Sequence, residues 1–418
     1  NPPVYNIVSI LLHFVVAVLV FLLASKILRN VALSVLASFL FLVLSGLSEN
    51  VFWIAATGYL FNGLFMLLSL IFFIYWEERK KITYLVATLL FLALSLLFHE
   101  LGVVTPLLLL LYKFTANEEF TLGKLFKDAR YILFFLPLVP YLVLRFIAQS
   151  HWFSGDYSYN LIKLPFNVVG NVIGYISLTL FGPLSLPFYQ SARIVLRENI
   201  IFAAIATAII LYLIFIGLRF VKGRIEKQER QIVIFGFLFF IIALLPFLGL
   251  GNITSRYSYL SSFGVILIFV FFVKKLYEYL RSYGKDIALT SVGVLLCLFT
   301  LLHIIQIQQI HSDWYEAGEK VKRFFVAIDA QYDDYWTLKP MALHLVDVPI
   351  RHGQAWVFPV GLSDGIFLVF RNSDISVYQW PSVEQALDAV TYGVSNEKVF
   401  VFDETGRVAE KVKMLPAQ

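Results

Sequence analysis

The sequence predicts a mainly α-helical, polytopic transmembrane bundle followed by a small C-terminal α/β domain, and three observations carry that prediction. Hydrophobic residues form 59% of the 418-residue chain and charged residues 15%, against about 25% charged in soluble domains, and the mean hydropathy is +0.79. About ten long apolar stretches run from Tyr5 to Gln306, most of them close to the ~20 residues a helix needs to cross ~30 Å of hydrocarbon. The loops between them alternate in charge. Lys26/Arg29, Arg79-Lys80-Lys81, Lys113–Arg130, Lys222–Arg230 and Lys274–Lys285 form a basic set, and the intervening loops are nearly free of lysine and arginine. Positive charge marks cytoplasmic loops, so the basic set is expected inside.

Taken in order, the spans fall near Tyr5–Leu28, Val31–Leu47, Thr57–Trp76, Ile82–Leu97, Leu101–Tyr112, Tyr131–Ile147, Ile200–Phe220, Ile232–Leu250, Leu260–Tyr279 and Ile287–Ile305. The stretch Pro165–Tyr189 is apolar enough to cross, yet it contains Asn167, Asn171, Pro183, Pro187 and several glycines. Parity decides its fate: with the basic loops inside, Gln149–Lys163 and Gln190–Asn199 both lie outside. The stretch is therefore expected to be re-entrant or interfacial, an arrangement tolerated only where protein or water covers the freed backbone groups.

The composition changes after Gln306, giving a transmembrane domain over residues 1–306 and an extracytoplasmic α/β domain over 307–418. Alternating stretches predict strands at Leu343–Val348 and Lys398–Asp403, Asp403-Glu404-Thr405-Gly406 reads as a hairpin turn, and helical patterns cover Ser363–Phe370 and Val383–Val390. The net charge of +5 sits in short loops between spans, which argues against a nucleic-acid partner and for membrane lipid. Cys297 is the single cysteine, so no internal disulfide forms. Asn1 opens the sequence with neither methionine nor signal peptide, which reads as a truncated start.

The outer side holds few polar residues. Glu49, Asn50 and Trp53 lie in the first outer loop, His99 and Glu100 between two spans, Arg145 one turn inside its helix end, His151, Trp152 and Asp156 in the next loop, then Arg193 and Arg197, and finally Arg256 and Tyr257. An ionisable residue at membrane depth costs about 2.5–3.5 kcal/mol on insertion scales, so it faces a polar cavity and takes a partner. Plain structural roles compete: Arg145 snorkelling to the interface, His13 bonding between helices, His99-Glu100 bounding a tight turn, Trp53 and Trp152 anchoring at the interface. Asn252-Ile253-Thr254 matches a glycosylation sequon. Asp333-Asp334 reads as a solvated loop or an extracytoplasmic cation site. No metal-ligand cluster, phosphate-binding glycine loop or Ser/His/Asp arrangement stands at recognisable spacing.

Four segments resemble, in order and spacing, the GT-C superfamily of integral membrane glycosyltransferases, nearest to the protein O-mannosyltransferase and tetratricopeptide-associated mannosyltransferase group. In Asn1–His13, Tyr5 and His13 match a Pro-x-x-Tyr-His-x-x-Asn-x-x-x-His pattern, while Asn6 and Ser9 depart from it. Ser48–Ala55 resembles a Glu-x-Val-x-Trp-Ile segment, after which Thr57 and Tyr59 replace an arginine and an aspartate. Phe98–Pro106 resembles a Lys-Glu-x-x-x-x-x-Pro element with His99 in the lysine position. Ser255–Leu260 resembles Glu-Arg-Tyr-x-Tyr with Ser255 in place of the glutamate. The segment from Val348 to Asn372 is similar to an extracytoplasmic stretch of the bacterial members.

The resemblance implies a bacterial cytoplasmic-membrane enzyme that transfers a sugar, mannose by analogy, from a polyprenyl-phosphate carrier to a protein, lipid or glycan acceptor at the outer face. It places a catalytic aspartate in a loop before Asn1. Glu49, His99 and Glu100 become the candidate catalytic residues and Arg145, Arg256 and Tyr257 the candidate substrate-binding residues, since arginine's planar fork suits phosphate oxygens and a glutamate or histidine can take a proton. No cofactor is called for beyond the lipid-linked donor; a divalent cation is an open option that nothing in the sequence indicates. A polysaccharide polymerase or ligase using lipid-linked glycans, a membrane transporter and a structural assembly protein are the alternatives.

Overall fold

The computed structural model describes residues 2–116, 129–150, 159–199, 226–332, 341–359, 361–390, 396–403 and 407–411, with 201, 202, 205, 208, 212 and 405 besides. His151, Trp152, Asp156, most of the expected span Ile200–Phe220, Asp333-Asp334 and the turn residues Glu404 and Gly406 lie outside the described residues. The chain divides into two compact units, Asn1–Ile307 and Gln308–Gln418.

The first unit is helical. Among the described residues six helices are long and apolar enough to cross a membrane, and a seventh span results if the bent pair Val31–Leu42 and Ser45–Phe52 counts as one. Leu97, Phe146 and Ile147 are 71%, 77% and 69% exposed, a surface that suits hydrocarbon rather than water. Several elements differ from their sequence expectation. The helix expected over Val31–Leu47 ends at Leu42 and turns by 54° into Ser45–Phe52. The short span near Leu101 begins as a 3-10 turn, Glu100–Val104, and becomes a helix at Thr105–Ala116. The last helix does not stop at Ile305 but runs unbroken from Lys285 to Tyr332.

Ion pairs gather the basic ends of the helices. Lys26 meets Glu78 at 2.8 Å, Lys113 meets Glu77, and Lys274 and Lys275 reach Glu229 at 2.9 and 2.7 Å. Lys26, Arg29, Tyr112, Gln228 and Gln231 border one small cleft, so these ends share a face. The helices Lys227–Leu248 and Ser262–Arg281 pack so closely that a Cβ added to Gly236 would come within 2.8 Å of the Gly264 carbonyl oxygen. Small residues permit this approach between membrane helices.

The stretch Pro165–Tyr189 is not broken at its asparagines. Leu164–Phe181 is a continuous helix of 18 residues, long and apolar enough to cross, and the chain turns at Gly182 (φ 73°) into a second helix, Ser185–Glu198. Pro165 sits in the first turn, where its missing N–H costs nothing. The buried asparagines are tolerated because they cap another helix. Asn167 Nδ2 donates to the Gly249 carbonyl (3.1 Å), and Asn171 Nδ2 to those of Phe247, Leu248 and Leu250 (3.2, 3.0 and 2.9 Å). At the other end of the helix, Gln306 Nε2 donates to the Phe181 carbonyl at 2.9 Å and its Oε1 accepts from Leu184 N at 3.1 Å. Gly249 and Gln306 both stand a helix length from the basic ends at Lys227 and Lys285.

The second unit holds a four-stranded sheet in the order β4-β1-β5-β6, formed by β1 (Met341–Val346), β4 (Ile375–Trp380), β5 (Glu397–Phe402) and β6 (Val408–Lys411). A small ribbon pairs β2 (Arg351–His352) with β3 (Ala355–Trp356). β1 is parallel to both β4 and β5, and β5 is antiparallel to β6. Leu343 and Leu345 pack with Phe324, Leu362, Ile366 and Phe400 on one face, while Val346, Val399 and Ala386 pack on the other. This two-sided burial is what a central parallel strand requires. The hairpin joining β5 to β6 is held by Asp403, whose Oδ1 accepts from Thr405 N, Thr405 Oγ1 and Arg407 N at 2.8, 2.7 and 2.9 Å.

Candidate functional site

Five of the six residues expected at the site are joined by a chain of contacts on the face opposite the basic helix ends, and the charge of the sixth, Arg145, bears on His99. Glu49 lies in the short helix Ser48–Phe52 and Arg256 in the 3-10 turn Ser255–Ser258. The Arg256 guanidinium donates to Glu49 Oε1 at 2.9 Å and the Arg256 backbone N–H to Glu49 Oε2 at 3.1 Å, so one residue engages both carboxylate oxygens. Asn50 Nδ2 donates to the Arg256 carbonyl at 3.1 Å and fixes the turn from the other side. The guanidinium also lies 5.3 Å from the Trp53 ring and 5.0 Å from the Tyr257 ring, within cation–π range. Burial alone would lower its pKa, but Glu49, with Tyr257 and Tyr59, reverses this and holds it above the ordinary arginine value.

Tyr257 is buried and stacks flat on Phe247 with centroids 4.0 Å apart. Tyr59 bridges from Tyr257 (6.2 Å) to His99 (4.0 Å). His99 sits in the turn between Ile82–Phe98 and Glu100–Val104, where Asn62 Nδ2 donates to the carbonyls of Ser95 (2.8 Å) and His99 (3.2 Å). The Leu101 backbone N–H donates to His99 Nδ1 at 3.1 Å. Neutral His99 therefore carries its proton on Nε2 and offers a donor there. Burial pushes its imidazole below the ordinary value of 6.5; Glu100 opposes this, and the charges of Arg145 and Arg256 deepen it. Arg145 is thus drawn into the electrostatics of the cluster, while its Nη1 donates to Tyr141 Oη at 2.8 Å.

The two glutamates are not equivalent. The Glu49 side chain is 11% exposed with both oxygens on Arg256, whereas Glu100 is 32% exposed and stands 3.7 Å from His99 Nδ1. Glu49 therefore positions Arg256, and Glu100 is the more exposed of the two carboxylates. His13 takes the bland role weighed for it, hydrogen-bonded to Tyr259 Oη (2.9 Å) and the Leu42 carbonyl (3.2 Å). Among the described residues no group of three or more metal-ligating side chains is gathered.

A second polar region borders the first. A cavity of about 1230 Å³ opens beside the helices Leu164–Phe181 and Ser185–Glu198 and is closed on one side by Gly251–Ile253, in the loop that continues to Arg256. Arg193 is one of the cations that line it. The sequence places Arg193 and Arg197 among the expected outer residues and assigns them no role. The signal that could have found them is the i, i+4 pair Asn167 and Asn171, a polar stripe on an otherwise apolar helix. Comparison with protein-family models, with curated proteins and with solved structures found no match.

Proposed function

We propose that the protein is a membrane glycosyltransferase that moves a sugar from a polyprenyl-phosphate carrier to a hydroxyl of a protein, lipid or glycan. The observation that supports this reading best is the convergence of Glu49, His99, Glu100, Arg145, Arg256 and Tyr257, from distant parts of the chain, at one end of an apolar helical unit. With the basic loops in the cytoplasm of a bacterial cell, that end faces outward, where carrier-linked sugars meet their acceptors. The helix Leu164–Phe181, anchored at both ends on this face, then lies along it rather than across the bilayer, and the sheet-bearing unit is extracytoplasmic.

In this reading the acceptor hydroxyl attacks the anomeric carbon from the side opposite the carrier. The new glycosidic C–O bond forms as the carbon–phosphate oxygen bond breaks, with inversion. The hydroxyl proton passes to Glu100, and the electron pair of the broken bond stays on the carrier phosphate. Arg256, held in place by Glu49 and assisted by Arg145, meets that growing charge in a partly dry site where such interactions are strongest. His99 Nε2–H donates to a sugar or acceptor oxygen, and the stacked Tyr257 forms the wall behind Arg256. Vesicles carrying the protein and supplied with polyprenyl-phosphate mannose and a hydroxyl acceptor should transfer the sugar, and Arg256→Ala should abolish that transfer. Near-normal transfer by Arg256→Ala would overturn the phosphate role.

A further inference from the structure

We propose that the cavity between Leu164–Phe181 and Ser185–Glu198 is a binding site for a phosphate or diphosphate group borne on a lipid. It is a site separate from the Glu49–Arg256 cluster, and its assignment does not depend on sugar transfer.

Three cations line the cavity, Lys163, Arg193 and Arg197, and its described lining contains no carboxylate. Among the described residues Arg193 is oriented by neutral groups: Nη2 donates to Asn167 Oδ1 at 2.6 Å, and Nη1 to Asn171 Oδ1 at 3.2 Å and Tyr189 Oη at 3.3 Å. The amide nitrogens of both buried asparagines are committed to carbonyls of the 247–250 segment, so their oxygens can only face the arginine. The guanidinium is further steadied over Phe166 at 5.5 Å. Dipoles align the charge without cancelling it, which is the preorganisation a planar phosphate-binding fork needs. Exposed aliphatic side chains, Leu161, Ile162 and Ile194 at 79%, 93% and 48% exposure, line the cavity beside the exposed Lys163 and Arg197. Cations next to exposed aliphatic side chains match an amphiphile with a phosphate head and a hydrocarbon chain. The volume accommodates such a head with further substituents, since small-molecule sites usually occupy about 300–1,000 Å³.

The full chain in detergent, titrated by native mass spectrometry with farnesyl monophosphate, farnesol and inorganic pyrophosphate, tests this. Farnesyl monophosphate should bind about tenfold or more tightly than farnesol, as expected for loss of a charge-assisted contact. Pyrophosphate should compete with it, weakly if the chain contributes and equally well if the site takes a free anion. Arg193→Gln should weaken farnesyl monophosphate by about tenfold or more. Because Arg193 also ties two helices together, the exposed pair Lys163→Gln with Arg197→Gln provides a second test, expected to act in the same direction with an unchanged melting temperature. Lys81→Gln, which removes a charge from the basic face, should leave binding unchanged. Equal binding of farnesol and its phosphate, or indifference to both the Arg193 and the Lys163/Arg197 substitutions, overturns the site, as does an equal loss on Lys81→Gln.

Discussion

At the scale of single residues, the proposed function divides labour between the two glutamates. Glu100→Gln should lower kcat by about 10²–10⁴-fold, the usual worth of a general base, while leaving the KM for the lipid-linked donor nearly unchanged. Glu49→Gln should act mainly on the donor KM, because it loosens Arg256 without touching the reacting atoms; steady-state transfer kinetics separate the two. Arg256→Ala alone leaves Glu49 buried without its partner, an error worth about 3–5 kcal/mol for a buried pair, so a Glu49→Ala/Arg256→Ala double variant should recover folding but not transfer. In the sheet-bearing unit, Trp380 Nε1 donates to His344 Nδ1 at 3.0 Å, and burial holds His344 below its ordinary 6.5 against the opposing charge of Glu397. The unfolded chain then binds more protons than the native one as pH falls below 6.5. Stability should therefore decline through that window and level off below the native pKa. Hydrogen exchange of β1 and β4 between pH 7.5 and about 5 checks this, with His344→Gln expected to flatten the dependence.

At the scale of elements, the crossing of Lys227–Leu248 with Ser262–Arg281 depends on two glycines. Gly264→Val would push its side chain into the facing backbone, where only movement of a helix relieves the clash. Overpacking of this kind costs about 1–3 kcal/mol, to be read as a lowered melting temperature in detergent. Helix positions were largely legible in the sequence because apolar length and loop charge are local signals. The charged residues from which site candidates are drawn were legible too, since charges are rare between the apolar stretches outside the basic loops. Their pairing was not: Glu49 and Arg256 are 207 positions apart, and no periodicity links them. The partners of the buried asparagines were not legible for the same reason: the carbonyl that Asn167 caps lies 82 positions away. The run of the last helix through Gln306 escaped the sequence reading because the composition changes there while the helical backbone continues.

At the scale of the whole molecule, the distribution of charge makes a topological prediction. Single cysteines placed at Lys81 and Gln228 should be labelled only from the cytoplasmic side, and those at Lys163 and Gln190 only from outside. Cys297 is exposed on its apolar helix, so it is first replaced by serine. Labelling of Lys163 and Gln190 from opposite sides would instead make Leu164–Phe181 a true span. The two polar regions, one built around a carboxylate–arginine pair and the other around an arginine held by amides, then share the same side of the membrane.

The loop from Gly249 to Arg256 is fastened twice, by Asn167 and Asn171 where it begins and by Glu49 and Asn50 where it ends. A segment clamped at both ends opens as one cooperative unit rather than fraying from either side. Its amides should exchange with solvent deuterium at a common slow rate. Asn171→Leu at one clamp, or Glu49→Gln at the other, should speed exchange along the entire loop, so each of the two polar regions would register damage done to its neighbour.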